Sequence, residues 1–381
     1  MKPPTAPVPS GDRRMARALI DALRLAGHEV ELACRFVSRD GAGDDARQRR
    51  LGALGEKLAH RLVARTKRRA PAQRPRAWLT YHLYHKAPDW LGPMAADALA
   101  IPYLVAEASS APKQAGGKWD FGYRAANRAI ARADLVLGLN SNDRAGVLPL
   151  LKSPERWVTL VPFIDVAPFA AAARQRARHR AYWAEKSGAD PARAWIAVVA
   201  MMRAGDKRRS YTLLAETLAW LKDDRFCVLV AGDGPLAAEI DAELAVAARG
   251  RAHLVGRVGE AEMPGLLAAC DLFVWPAVGE AYGMALVEAQ AAGLPVIAGR
   301  EGGVGDIVVD GESGLLAPQG DVPALAGLVS RVLNDDRLRA RLALGARRRA
   351  DTALDIAGAA RTLAAAVKRV AGPRDEVSGD G

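Results

Sequence analysis

Two glutamates, Glu280 and Glu288, are separated by seven residues and flank a glycine, Gly283. The apolar run 272–276 predicts a strand, the next residues predict a loop, and the segment that contains Glu288 predicts a helix. The first N–H groups of such a helix lack intrahelical acceptors and carry a partial positive charge, so they bind phosphate well. A carboxylate at each side can accept hydrogen bonds from hydroxyl groups. The stretch therefore indicates a ligand with central phosphates and with hydroxyl groups at both ends, such as a nucleotide sugar.

The elements that must position this stretch form two series of alternating strands and helices. The second series begins with a predicted strand at Trp195 and contains the two glutamates. The first series has predicted strands at 77–81, 102–106, 135–139 and 160–162. Two such series predict an α/β protein with two Rossmann-like domains that face each other across a cleft.

Polar residues follow two of the predicted strands in the first series. His82, His85 and Lys86 come after strand 77–81, while Glu107 and Ser109 come after strand 102–106. Open α/β sheets bind ligands at the carboxyl ends of their strands. These residues are therefore candidates for the active-site face of the first domain, although each one is equally well explained as a loop residue with a structural hydrogen bond.

The chain begins with a glycine loop rather than with a strand. Gly11 lies in the sequence P-V-P-S-G-D, which precedes a predicted helix at 13–25 and a predicted strand at 30–36. A doubly wound domain ordinarily starts with a strand that leads into such a loop. The first strand of the N-terminal domain is thus missing from the pattern. Either the true start lies upstream, which we expect, or the domain tolerates an exposed sheet position.

The composition predicts five segments. We expect an acceptor-side domain at 1–166, a linker at 167–193, a nucleotide-sugar-binding domain at 194–345, a C-terminal helix at 346–370 that packs back on the first domain, and a frayed tail at 371–381.

The composition is that of an ordinary globular protein, with 50% hydrophobic and 25% charged residues among 381. The sequence has neither a long apolar run nor a signal peptide, so a cytoplasmic protein is expected. Its three cysteines, Cys34, Cys227 and Cys270, are widely spaced and predict buried small hydrophobic residues rather than a metal site.

The formal net charge of +11 is concentrated in the segment 44–76. This segment predicts a basic helix whose leucines, at 51, 54, 58 and 62, lie on one face. That face either packs on the domain core or contacts an anionic membrane surface. A nucleic-acid partner is not expected, because no aromatic residues alternate with the arginines.

The second series resembles the retaining glycosyltransferases of family 4, also described as glycosyl transferases group 1, which have the GT-B fold. The resemblance rests on the order and spacing of several motifs. They are A-G-D-G-P at 231–235, D-L-F-V-W-P at 271–276, the pair of glutamates, A-A-G-L-P-V-I-A at 291–298, G-G-V-G-D-I-V at 302–308, D-G-E-S-G-L-L at 310–316 and G-D-V-P-A-L-A at 320–326. In the first series only P-S-G-D-R and V-P-F-I-D resemble the family.

The resemblance implies a donor site around the two glutamates. By analogy with the family, Glu288 binds the ribose hydroxyls and Glu280 binds hydroxyls of the donor sugar. The backbone of Tyr282, Gly283 and Met284 would receive the diphosphate.

The resemblance also implies cations for the leaving diphosphate. Arg203 matches the family's arginine, and either Lys207 or Arg208 matches its lysine, so the resemblance implies that no divalent metal is needed. Arg257 matches the loop that meets the nucleobase, and Gly232 belongs to the A-G-D-G-P motif on the donor side.

The sequence departs from the family in the first domain. Many members have a histidine near the anomeric carbon, where this chain has Glu107 and Ser109, so we expect His82 or His85 to take that role. In the second domain the usual E-G-F-G is E-A-Y-G, which keeps Gly283.

We therefore expect transfer of a sugar, with retained anomeric configuration, from a UDP- or GDP-linked donor and without a cofactor. The expected acceptor is a carbohydrate or lipid-linked hydroxyl in envelope polysaccharide or glycolipid synthesis, with peripheral membrane contact. A non-catalytic nucleotide-sugar-binding protein is the alternative, and a glycoside hydrolase that uses the two carboxylates is a weaker one.

Overall fold

The computed structural model describes Thr5 and residues 11–222, 225–281 and 283–372. The chain divides into two compact units. Unit 1 comprises Met1–Val161 together with Ala357–Gly381, and unit 2 comprises Pro162–Ile356.

Unit 1 is built on a four-stranded parallel sheet with the strand order β1-β2-β3-β4. Its elements are α1 (Gly11–Leu25), α2 (Asp45–Lys67), β1 (Trp78–Leu83), α3 (Gly92–Leu99), β2 (Tyr103–Ala108), α4 (Asp120–Arg132), β3 (Leu135–Gly138), α5 (Ser141–Val147) and β4 (Trp157–Thr159). Every residue of β2 and β3 is buried, as expected for central parallel strands that are covered on both faces.

Two predicted strands of the first domain are wrong. Residues 30–36 form no strand, and Leu32 within them is 43% exposed. An apolar run becomes a strand only where a neighbouring strand accepts its backbone hydrogen bonds. The final strand of the sheet is β4, which lies just before the predicted 160–162. The predicted first glycine loop is only partly described, since Pro9 and Ser10 lie outside the described residues and Gly11 begins α1.

The core-facing side of α2 consists of small residues rather than of leucines. Gly52 and Gly55 are buried against Trp90, and a β-carbon at position 55 would lie 2.3 Å from Cβ of that tryptophan. Leu54 is 46% exposed instead. Close helix packing on a large ring selects glycine, so the predicted leucine face lies beside the contact rather than in it.

Unit 2 is built on a six-stranded parallel sheet with the strand order β10-β9-β8-β5-β6-β7. Its elements are α6 (Ala167–Ala173), α7 (Arg176–Ser187), β5 (Ala194–Val199), α8 (Asp206–Trp220), β6 (Phe226–Ala231), α9 (Ala237–Ala247), β7 (Ala252–Gly256), α10 (Met263–Ala269), β8 (Leu272–Trp275), α11 (Met284–Ala291), β9 (Val296–Gly299), α12 (Val304–Ile307), β10 (Gly314–Ala317), α13 (Val322–Asn334) and α14 (Asp336–Ala353). The strand order reverses between β5 and β8. This reversal is the topological switch point, where such sheets bind ligands.

Residues 167–193, which were expected to be a linker, belong to unit 2 and form α6 and α7. Arg176 and Arg180 each bind the carboxylate of Asp271 at 2.8 and 3.0 Å. Their guanidinium groups also donate to backbone carbonyls at the end of α10, at 3.0 and 2.7 Å. Charge-assisted hydrogen bonds to orphan helix carbonyls explain why this arginine-rich segment packs on unit 2.

The expected single C-terminal helix is interrupted. The backbone of Ile164 accepts from Ile356 at 2.9 Å and donates to Leu354 at 3.0 Å, which ends α14. The last helix, α15 (Ile356–Ala371), follows, and residues from Ala357 onward group with unit 1.

Candidate active site

The switch point of unit 2 brings together the loops that follow β5 and β8. The two strands are parallel, and Ile196 pairs with Leu272 and Ala197 with Phe273. Because neighbouring parallel strands end at the same edge of a sheet, both loops leave it side by side. The first loop leads into α8, and the second leads into α11.

A lysine–glutamate pair joins these two loops. Lys207, in the first turn of α8, forms an ion pair and hydrogen bond with Glu280 Oε2. The indole Nε1–H of Trp275 donates to the same carboxylate oxygen at 3.3 Å, and the ammonium lies 5.3 Å from the centre of the Trp275 ring. Tyr211 packs edge-on against this ring at 5.2 Å. Trp275 and Tyr211 therefore hold the pair in place. The ammonium group is of a type that binds anions, and the carboxylate is of a type that accepts hydrogen bonds from hydroxyl groups.

The structure separates the two alternatives for the second cation. Arg208 turns toward α9, where it binds the carboxylates of Glu239 and Glu243 at 2.9 Å each. Lys207, not Arg208, reaches Glu280. Arg203 is exposed in the loop after β5 and, in the described part of the chain, has no ion pair.

The helix start predicted to bind phosphate is confirmed as an element. Gly283 caps α11 with a left-handed backbone, φ 65°, which a residue with a side chain adopts only at a cost. Met284 is the first residue of the helix, and Glu288 lies in its second turn with only 1% exposure. A carboxylate buried to this degree requires hydrogen-bond donors around it. Tyr282 lies outside the described residues.

The loop that carries Glu280 is fixed by close backbone packing. A β-carbon at Gly302 would lie 1.9 Å from the Glu280 carbonyl oxygen, so only glycine fits there. The N–H of Gly303 donates to the Ala281 carbonyl at 2.8 Å, and the N–H of Val278 donates to Ser210 Oγ at 3.0 Å. The loops after β8 and β9 therefore support each other, and α8 supports the first of them.

Two further predicted donor residues lie away from the lysine–glutamate pair. Gly232 packs against the Ala200 carbonyl, where a β-carbon would approach to 1.9 Å, and its N–H donates to Gly256 at 2.9 Å. Contacts within the sheet therefore require a glycine at position 232. Arg257 is exposed just after β7, which is the edge strand. The structure does not bring it to Glu280.

Unit 1 has its own cluster of ionisable groups at the carboxyl ends of β1 and β2. His82 Nδ1 lies 3.5 Å from Asp12 Oδ1 and 3.7 Å from Glu107 Oε1. Both His82 and Glu107 have a left-handed backbone, with φ of 60° and 62°. Such strain costs about 1–3 kcal/mol per residue and is concentrated at functional sites. Gly11 precedes Asp12, and the space beside its Cα is open.

Asp143 is a member of this cluster that the sequence analysis missed. It lies in the first turn of α5, and its carboxylate interacts with His82 and is hydrogen-bonded by Ser109. Burial raises the pKa of the Asp143 carboxyl above the ordinary value of 3.8. The residue follows β3 in the sequence N-S-N-D, so its position after a strand was the available indication.

Within the described ranges, no group of three His, Cys, Asp or Glu side chains is arranged to hold a metal ion. Burial raises the pKa of the Cys270 thiol to about 12. No helix among the described residues is long and apolar enough to cross a membrane.

Comparison with known proteins gives a family match within the second unit. Residues 193–335 match the family described as Glycosyl transferases group 1. Over 360 residues the chain is 29% identical to a D-inositol 3-phosphate glycosyltransferase of Salinispora arenicola, and the match covers 84% of this chain and 79% of that protein.

Solved structures show the same fold. A glycosyltransferase from Rickettsia africae aligns with a TM-score of 0.72 at 15% identity over 96% of both chains. Anabaena HepE in complex with UDP aligns with a TM-score of 0.65 at 18% identity over 82% of both chains. The chain therefore has the expected GT-B fold, and its residues 193–335 match the glycosyl transferases group 1 family.

Proposed function

We propose that the protein transfers a sugar from a nucleotide diphosphate sugar to an acceptor hydroxyl, with retention of the anomeric configuration. The observation that carries this proposal is the Lys207–Glu280 pair at the switch point of unit 2, next to the N-terminus of α11. The group 1 match and a fold neighbour with bound UDP support a nucleotide donor.

Each residue of the site has a role in this reaction. The N-terminus of α11 and the cations Lys207 and Arg203 stabilise the charge that develops on the leaving diphosphate. Glu280 accepts hydrogen bonds from hydroxyls of the donor sugar, and buried Glu288 accepts them from the ribose. With this charge supplied by the chain itself, we propose that turnover requires no divalent metal.

The proposed chemistry is a front-face displacement. The bond from the anomeric carbon to the phosphate oxygen breaks, and a bond from the same carbon to the acceptor oxygen forms on the same face. The departing phosphate oxygen takes the acceptor's proton, which balances the reaction without an enzymic base. On this proposal unit 1 binds the acceptor, with His82 and Glu107 contacting its hydroxyls.

Donor binding is tested by thermal shift with UDP-, GDP- and ADP-linked sugars. A ligand that binds only the folded protein at 100 times its Kd raises the free energy of unfolding by about 2.7 kcal/mol. We expect one donor class to do so, and Glu288→Gln to reduce its affinity by about tenfold or more, because the ribose loses a charged acceptor. Glu239→Gln is the matched control, since Glu239 lies on α9 and is paired with Arg208 of α8.

If no nucleotide sugar stabilises the wild-type protein, or if Glu288→Gln binds the donor as tightly as wild type, the proposed site is wrong. Donor binding without transfer or donor hydrolysis, with acceptor pools supplied, supports the alternative of a non-catalytic binding protein. Activity that survives EDTA supports the proposed independence from metals.

A further inference from the structure

A row of aromatic rings in unit 1 leads away from the cluster around His82. The ring centres of His82 and Tyr84 are 4.8 Å apart, those of Tyr84 and His85 are 5.4 Å apart, and those of His85 and Trp119 are 5.7 Å apart. The row begins at the end of β1 and reaches the residue just before α4. All four residues of the row are partly exposed, and its two ends differ in chemistry.

Lysines surround the far end of the row. The ammonium groups of Lys86 and Lys118 each lie 4.4 Å from the centre of the Trp119 ring. Lys113, exposed after β2, is close enough to lower the pKa of His85. In the part of the chain that the structure describes, none of these three lysines forms an ion pair with a carboxylate, whereas Lys186 and Lys207 do. We name Lys86, Lys113, Lys118 and Trp119 the lysine–tryptophan patch.

The patch is positioned by two polar residues that are each only 3% exposed, Asp40 and Gln48. The N–H of Asp40 donates to the Lys86 carbonyl at 2.8 Å, and the Gln48 amide donates to the Lys118 carbonyl at 2.9 Å. The indole of Trp119 donates to the Asp40 carbonyl at 3.2 Å. Buried hydrogen bonds thus fix the backbone that carries the lysines and leave their ammonium groups available to an anion.

The Asp40 carboxylate does not neutralise the patch. It accepts backbone N–H groups of Gly43 and Asp44 at 2.8 and 2.9 Å and the Gln48 amide at 3.3 Å. These donors hold it inside its own loop.

His85 adds no charge between the two ends. Its pKa is lowered by burial and by Lys86 and Lys113, which favours the neutral imidazole. Both of its ring nitrogens are buried without a hydrogen-bond partner among the described residues. The imidazole therefore contributes ring contacts to the row rather than a positive charge.

From these observations we propose that unit 1 selects an acceptor that carries a phosphate monoester, with the phosphate bound at the lysine–tryptophan patch. The hydroxylated part of the acceptor lies along the aromatic row and presents a hydroxyl near His82 and Glu107. A phosphate monoester carries a charge of about −1.5 to −2 at pH 7, which suits the two lysines at the Trp119 ring, with Lys113 nearby, better than a carboxylate does. The proposal rests on the proposed transferase function and names its acceptor class.

The test compares phosphorylated with unphosphorylated ligands by isothermal titration calorimetry of the full chain. Glucose 6-phosphate is paired with glucose, and D-inositol 3-phosphate with inositol. We expect at least one phosphate ester to bind about tenfold or more tightly than its partner, and the double variant Lys86→Gln/Lys118→Gln to abolish that preference. The matched control is Lys57→Gln/Lys67→Gln, which removes the same charge from exposed positions on α2.

Vesicles of phosphatidylcholine, with and without phosphatidic acid, form the second arm. Binding to phosphatidic acid that depends on Lys86 and Lys118 identifies a lipid-linked phosphate, and binding of the sugar phosphates identifies a soluble one. If neither arm shows a phosphate preference, or if the double variant keeps it, the proposal is overturned. Thermal shifts with nucleotide sugars on the same variants keep this outcome separate from a failure of the donor site, because those shifts depend on unit 2.

Discussion

Replacement of Lys207 by methionine tests the central ion pair of the candidate site. Methionine keeps the length and apolar stem of lysine but removes the ammonium group. The Lys207 and Glu280 side chains are only 19% and 16% exposed, so solvent screens their interaction weakly. In the variant, the Glu280 carboxylate keeps the 3.3 Å hydrogen bond from Trp275 as its remaining described side-chain contact.

Two magnitudes follow for Lys207→Met. Loss of one positioned donor to a developing oxyanion lowers kcat by about 100- to 1,000-fold. Loss of one partner from a largely buried polar pair lowers the free energy of unfolding by about 1–3 kcal/mol. Donor affinity changes less than the rate, because the charge on the diphosphate increases as the glycosidic bond breaks.

Arg208→Met is the matched control, one residue further along α8. Arg208 binds Glu239 and Glu243 on α9, and the Glu239 side chain is 54% exposed. Such surface pairs contribute about 0–1 kcal/mol to stability. We expect the control to change kcat by less than about threefold, since no catalytic role is assigned to this arginine.

The assay is steady-state donor hydrolysis and transfer with the donor found by thermal shift, with kcat and KM measured separately. Melting temperatures of both variants correct for any loss of folded protein. If Lys207→Met keeps kcat within about threefold of wild type while Arg208→Met loses activity, then Arg208 and not Lys207 stabilises the leaving group, and our assignment is wrong.

Two further predictions concern unit 1. Because burial raises the pKa of Asp143, its ionised form destabilises the folded state, and this cost appears as pH rises from 3.8 through the raised value. Asp143→Asn should therefore raise the melting temperature at pH 7 while lowering activity. The gain in stability should shrink toward acidic pH. A variant that is less stable than wild type at pH 7 would contradict this. Peripheral membrane contact through α2 predicts sedimentation with anionic but not neutral liposomes, weakened by Leu54→Glu because this leucine is exposed. Equal sedimentation of that variant and wild type would exclude this face as the contact.

Most of the α/β architecture could be predicted from the sequence, because buried parallel strands are continuous apolar runs. The strands β2, β3, β5, β6 and β8 all coincide with such runs. The same rule failed at residues 30–36, with which no strand of the described residues pairs. Sequence periodicity reports which residues could be buried, but it does not report whether a partner is present.

The candidate site was predictable where a motif fixed the backbone. Glu280, Gly283 and Glu288 follow one strand at fixed spacing, so their places in loop and helix could be inferred. The choice between Lys207 and Arg208 could not, because adjacent helical residues point about 100° apart and only the fold decides which one faces Glu280. The lysine–tryptophan patch required knowledge that the separate segments carrying Lys86 and Lys118 meet at Trp119.

The pairing of β5 with β8 gives the donor site a particular place in the folding of the chain. Lys207 and Glu280 are 73 residues apart in the sequence, and the strands that bring them together are not consecutive. Closing a loop of this length costs chain entropy, which the packed sheet must offset. A chain that ends before α11 lacks the helix start and Glu288, so we expect it to have no donor affinity. Donor affinity would then report that unit 2 has folded through α11, and a bound donor would stabilise a contact between distant parts of the chain.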